Sequence, residues 1–208
     1  MSELNVLIIN GSPRSEGNTI AAIDEMVKVF DSERIKTEIA NVGNMSVRGC
    51  LGCYSCQKTG KCVIDDEVNE MAKKLEKADG IVLASPVYYA SPNGSMIAFL
   101  DRLFFSSSCD KTMKVAATIA CARRAGTTAT LDVLNKYIMY GGFAVASSQY
   151  WNMVHGAAPG ESIKDEEGMQ TMRVLAKNMV FMMKSIALGK EKYGLPEKEE
   201  KLRTNFIR

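Results

Sequence analysis

Leu4-Asn-Val-Leu-Ile-Ile-Asn10 is a short, nearly unbroken apolar run rich in β-branched residues, stopped by Gly11 and Pro13. A strand of this kind has no polar face, so both its faces must be covered. Behind it, Ile20, Ile23, Met26, Val27 and Phe30 recur at helical spacing, with Asn18 or Thr19 as the expected N-cap. A two-sided strand feeding straight into an amphipathic helix requires a parallel sheet wrapped by helices. The pattern then repeats. Strands are expected around 35–40, 81–85, 115–121 and 143–148, and helices over 65–77, 94–105, 128–140 and from Asp165 to about Leu188. Residues 86–93 are expected to form a loop.

Five such strands fit the flavodoxin-like order 2-1-3-4-5, an α/β three-layer sandwich. Residues 1–188 make one domain on this reading, with a cysteine-rich insertion at 42–64 after the second strand and a charged tail at 189–208. The methionines of the last helix, Met169, Met172, Met179, Met182 and Met183, are expected to be an adaptable core face. A net charge of +2 with mixed signs implies no nucleic-acid or membrane-surface partner. The chain also lacks the roughly 20 consecutive apolar residues of a membrane span and a leader-like start, so a cytoplasmic setting is expected.

In that setting clustered cysteines are ligands or redox thiols rather than structural disulfides. Cys50, Cys53, Cys56 and Cys62 follow C-x2-C-x2-C-x5-C. Structural zinc ordinarily takes two well-separated ligand pairs. Three cysteines at successive three-residue steps with a close fourth suit the one-sided wrapping of an iron–sulfur cluster. A zinc-stabilised loop, or a Cys53/Cys56 thiol pair, stays open as an alternative. Cys109 and Cys121 read as buried small hydrophobes.

Gly11-Ser-Pro-Arg-Ser-Glu-Gly-Asn-Thr19 lies between the first strand and first helix, at the sheet edge where such folds bind ligands. Helix-start amides there attract a phosphate. Ser12 and Thr19 offer hydroxyls, Arg14 a charge, Asn18 an amide and Gly17 a close backbone approach. The loop is neither a triphosphate loop nor a dinucleotide fingerprint, and a lone phosphate ester such as that of FMN fits it better. Ser85-Pro-Val-Tyr-Tyr89, through Pro86, Val87, Tyr88 and Tyr89, offers amides and a flat apolar contact for a ring. Arg123 or Arg124 offers positive charge near the N1–O2 edge of that ring. His155, the only histidine, is given no chemistry.

These segments together resemble the NAD(P)H-dependent FMN reductases of flavodoxin-like fold, and within them the iron–sulfur flavoproteins. The resemblance covers essentially the whole chain. Gly11-Ser-Pro-Arg with Gly17-Asn-Thr19 is similar to their FMN-phosphate loop, Ser85 to Tyr89 to the loop against the isoalloxazine, and Ala122-Arg-Arg-Ala-Gly126 to a third flavin loop. The cysteine spacing is similar to their 4Fe–4S motif. The resemblance implies an FMN-dependent oxidoreductase that moves electrons from NADPH, NADH or ferredoxin to a small-molecule acceptor. It also implies a 4Fe–4S cluster on Cys50, Cys53, Cys56 and Cys62, ferredoxin or another carrier as partner, and a homo-oligomer, dimer or tetramer, with the flavin near a subunit interface. The competing readings are a non-catalytic flavodoxin-like carrier and a plain FMN or quinone reductase without a cluster.

Overall fold

The structure, a computed structural model, describes residues 3–200 together with 202, 204 and 206. β1 (Asn5–Asn10) lies between β2 (Lys36–Asn41) and β3 (Gly80–Tyr88), and β3 in turn pairs with β5 (Val115–Ala122), all parallel. Side chains alternate through the sheet with the period of two that strands impose. Val6, Ile8, Val82 and Ala117 face α1 (Asn18–Ser32) and α6 (Glu166–Tyr193), meeting Met26, Phe30, Met172 and Met179. Leu7, Ile9, Ile81 and Leu83 face the other side, toward α3 (Glu67–Lys77), α4 (Gly94–Ser106) and α5 (Thr127–Tyr140), and meet Leu75, Phe99 and Leu134. The methionine face of α6 is core. No helix among the described residues is long and apolar enough to cross a membrane.

The sheet order is β2-β1-β3-β5-β6, which is the expected 2-1-3-4-5 order, but the fifth position is divided. β6 (Ala144–Val145) runs beside Val115–Ala116, and β7 (Met153–His155) runs beside Ala120–Ala122. The expected single strand over 143–148 is therefore corrected to two short ones. Polar residues draw the chain off the edge between them. The Ser148 hydroxyl donates to the Thr171 carbonyl (2.7 Å), and the Ser147 carbonyl accepts from Asn178 Nδ2 (2.8 Å), both on α6.

A second correction concerns 86–93. β3 continues to Tyr88, and β4 (Ser91–Pro92) folds back on it antiparallel, pairing Val87 with Pro92 and Tyr88 with Ser91. The two turn residues, Tyr89 (φ 50°) and Ala90 (φ 58°), are both left-handed. Two-residue hairpins need that geometry and ordinarily use Asn-Gly for it, so this tight turn carries backbone strain. The last helix ends at Tyr193 rather than near Leu188. In the tail Lys198 pairs with Asp110 at 2.7 Å, while 201, 203, 205, 207 and 208 lie outside the described residues.

Candidate active site

At the carboxyl edge of β1, β3 and β5 lies a cleft of about 170 Å³. Ser12, Arg14, Gly17, Asn18 and Thr19 line one side, Pro86, Val87 and Tyr88 another, and Cys121, Ala122 and Arg123 a third. Three segments far apart in sequence thus meet as the strand–loop pattern anticipates. Gly156 and Ala157, after β7, close the remainder.

The first loop is ordered by its own polar groups. Ser12 N donates to Asn10 Oδ1 (2.9 Å), and Ser12 Oγ accepts from Arg14 N (3.2 Å). Asn18 does not cap α1. Gly17 occupies the N-cap position, and no side chain accepts from the first turn. Asn18 Oδ1 instead accepts from Ser162 N (2.9 Å), tying the loop to the 3-10 turn at Glu161–Lys164 and leaving Nδ2 for the cleft. The first-turn N–H groups of α1 therefore lack an intrahelical acceptor, which a phosphate supplies with the favourable sign of the helix dipole. The Arg14 side chain makes no hydrogen bond or ion pair among the described residues. These orphan donors and the free guanidinium fit the phosphate ester of FMN.

Not every expected residue lines the cleft. Tyr89 stands fully exposed at the hairpin tip, and Arg124 is exposed outside. Gly126 (φ 90°) supports the hairpin from beneath: a Cβ there would lie 2.9 Å from Ala90 Cα.

Three contributors are not evident from sequence reasoning. Asn93 Nδ2 donates to the carbonyls of Gly11 (2.8 Å) and Gly43 (2.9 Å), while its Oδ1 caps α4 at Ser95 N (2.9 Å). An Asn ahead of a helical stripe signals the cap but not the other two bonds. Gly43 abuts the phosphate loop so closely that a Cβ would lie 2.2 Å from the Ser12 carbonyl carbon. Cys121 is buried as expected yet also lines the cleft, and burial pushes its thiol up to about 11, holding it neutral. Its place at the end of a buried strand was the available signal.

The cysteine segment crosses the C-terminal half of α4. Left-handed Gly52 (φ 62°) and Tyr54 (φ 56°) wrap it ahead of a short helix, α2 (Ser55–Thr59), and left-handed Gly60 follows. All four thiols are free and line one cavity with Tyr54, Arg102, Phe105 and Ser106. Tyr54 packs edge-on against Phe105, with ring centroids 5.9 Å apart.

Arg102, buried within the apolar stripe of α4, anchors the segment. Its guanidinium makes two 2.7 Å bonds to Asp66 and one to the Ile64 carbonyl (3.1 Å), and Nε donates to Cys62 Sγ (3.3 Å). Asp66 Oδ1 also caps α3 at Val68 N (3.2 Å). Hydrogen bonding from Arg102 holds the Asp66 carboxyl below its ordinary value of 3.8.

Among the described residues no three His, Cys, Asp or Glu side chains gather closely enough to hold a single metal ion. The thiols border a shared volume rather than a point. Four free thiols on one short segment are a donor set that suits an iron–sulfur group, and a buried Ser106 hydroxyl without a partner lies beside them.

The chain matches the family described as NADPH-dependent FMN reductase over residues 4–158. It is 30% identical over 191 residues to an iron–sulfur flavoprotein of Methanocaldococcus jannaschii, covering 88% of this chain and 99% of that protein. Among solved structures, RosB with bound 8-demethyl-8-formylriboflavin-5'-phosphate has the same fold, with a TM-score of 0.70 and 18% identity over 99% of this chain and 92% of that one. A flavodoxin from the domain Archaea gives a TM-score of 0.58 at 13% identity, over 87% of this chain and 99% of that one. The chain belongs to the NADPH-dependent FMN reductase family, among the iron–sulfur flavoproteins, and is an FMN-dependent oxidoreductase.

Proposed function

We propose that this oxidoreductase is of the iron–sulfur flavoprotein type, with a 4Fe–4S cluster on Cys50, Cys53, Cys56 and Cys62 serving the flavin. The observation that carries the reading is the single cavity bordered by all four free thiols. Bound to this chain, FMN supplies two-electron chemistry and the cluster one-electron exchange. The protein's part is to bind, orient and tune. Arg14, the Asn18 amide and the first-turn N–H groups of α1 hold the phosphate. Pro86 to Tyr88 would contact the ring, Arg123 would bring positive charge to the cleft, and the neutral Cys121 thiol adds none.

The electrons come from NAD(P)H or from ferredoxin or another one-electron carrier, and they leave to a small-molecule acceptor. The chain acts as a homo-oligomer, dimer or tetramer. Supporting this, Tyr88, Tyr89, Tyr150 and Trp151 are all exposed near the cleft or beside its edge strands, where a second copy would cover them. The cytoplasm is the proposed setting.

Anaerobic purification tests the reading through the visible spectrum with iron, acid-labile sulfide and FMN analysis. Four irons and one FMN per chain are expected. FMN without iron or sulfide would leave a plain FMN reductase with a thiol-rich loop. Light scattering at micromolar concentration tests assembly, and a monomer would refute it.

A further inference from the structure

Ser106 ends α4 with its hydroxyl buried, and no donor or acceptor reaches Oγ. Buried polar groups are nearly always satisfied, and an orphan hydroxyl is a standing cost. This one borders the cysteine cavity, on the same helix as Arg102, whose Nε already donates to Cys62 Sγ. α4 thus presents two N–H or O–H donors one helical turn apart to a cavity lined by four cysteine thiols.

We propose that Ser106 is a positioning and tuning residue of the cysteine site: its hydroxyl donates to sulfur of the group held there, and with Arg102 it sets that group's reduction potential. The inference rests on the cluster reading above. Its physical basis is general. Sulfur of a reduced cluster carries more negative charge than that of the oxidised one, so a donor stabilises the reduced form and raises the potential. In the cluster-free protein the same hydroxyl has nothing to bond and only costs stability.

The two states therefore predict opposite signs for Ser106→Ala. In cluster-free protein the variant should unfold at an equal or higher temperature than wild type. In anaerobically prepared holoprotein it should lose iron faster on a timed exposure to air. Its cluster potential, followed by spectroelectrochemistry, should fall relative to FMN by about tenfold in the electron-transfer equilibrium, which is about 59 mV for one electron. FMN content should not change.

Wild-type protein with FMN but no iron or sulfide overturns the cluster reading and this inference with it. Iron and sulfide in wild type, with an unchanged potential in Ser106→Ala, overturns the inference alone. A clear loss of stability in the cluster-free variant would also overturn it, because the hydroxyl would then have a structural partner.

Discussion

Replacing Arg102 by Met is the most informative single change at the cysteine segment. Met keeps an unbranched, apolar side chain in a site where Arg102 is 1% exposed, but removes every donor. The loss includes both 2.7 Å bonds to Asp66 and those to Ile64 O and Cys62 Sγ. Removing one partner of a buried ion pair costs about 3–5 kcal/mol. Asp66 is 25% exposed, so water can recover part of its solvation, and about 2–4 kcal/mol is expected. Urea unfolding of cluster-free protein at pH 7 should show this as a midpoint lower by about 1 M.

The penalty should also depend on pH. Arg102 holds Asp66 below 3.8, so the folded state gains from this pair above the unfolded value and loses the gain as pH falls through the lower folded value. The wild-type advantage should therefore be full at pH 5–7 and shrink below about pH 4. Asp66→Asn keeps a good helix cap at Val68 N, and combined with Arg102→Met it should cost clearly less than the two single changes added together. A difference under about 0.5 kcal/mol at pH 7, or one that stays constant into acid, would refute the claim that this pair pins the segment.

At the cleft, Arg14→Ala should weaken FMN binding by roughly 1.5–3 kcal/mol, read by quenching of flavin fluorescence, and unchanged affinity would remove Arg14 from the phosphate site. Gly43→Ala should prevent FMN retention on purification, because its Cβ would collide with the backbone at Gly11 and Ser12, atoms that cannot give way as a side-chain tip can; normal FMN content would refute this. Cys121, with its thiol near 11, should be thiolate in only about one molecule in a thousand at pH 8. It should therefore stay unalkylated in native, cluster-free protein while exposed Cys50 and Cys53 react, as peptide mapping after iodoacetamide would show.

What the sequence disclosed follows from burial. Leu4–Asn10, 81–85 and 115–121 are mostly apolar because helices cover both faces, and that composition survives in sequence as a nearly unbroken run. The phosphate loop was legible for a related reason, since its place between strand and helix already fixes where it points. The hairpin at Tyr89–Ala90 was not, because neither residue signals a left-handed turn. Nor was the divided edge strand. Its break depends on α6 receiving Ser147 and Ser148, an arrangement with no local signature. Asn93 carried a helix-start signal, yet the Gly11 and Gly43 carbonyls it holds are 82 and 50 residues away. Arg102 was visible only as a charge in an apolar stripe, and its partner Asp66 lies 36 residues back.

Asn93 and Arg102 share one helix, and this explains how two different sites are kept in fixed relation. Met96, Phe99, Leu100 and Leu103 are fully buried, so α4 is clamped against the sheet along its length. Its N-cap grips the phosphate loop, and its C-terminal half carries Arg102, Phe105 and Ser106 beneath the cysteines. From Asn93 to Arg102 and Ser106 the rise is about 14–20 Å along the axis. Within one chain the phosphate loop and the cysteine cavity are therefore held rigidly but apart, with no shared side chain. Loss of the cysteine cavity need not disturb the flavin phosphate site, and the reverse also holds. That independence lets FMN content serve as the internal control for every cysteine-site variant.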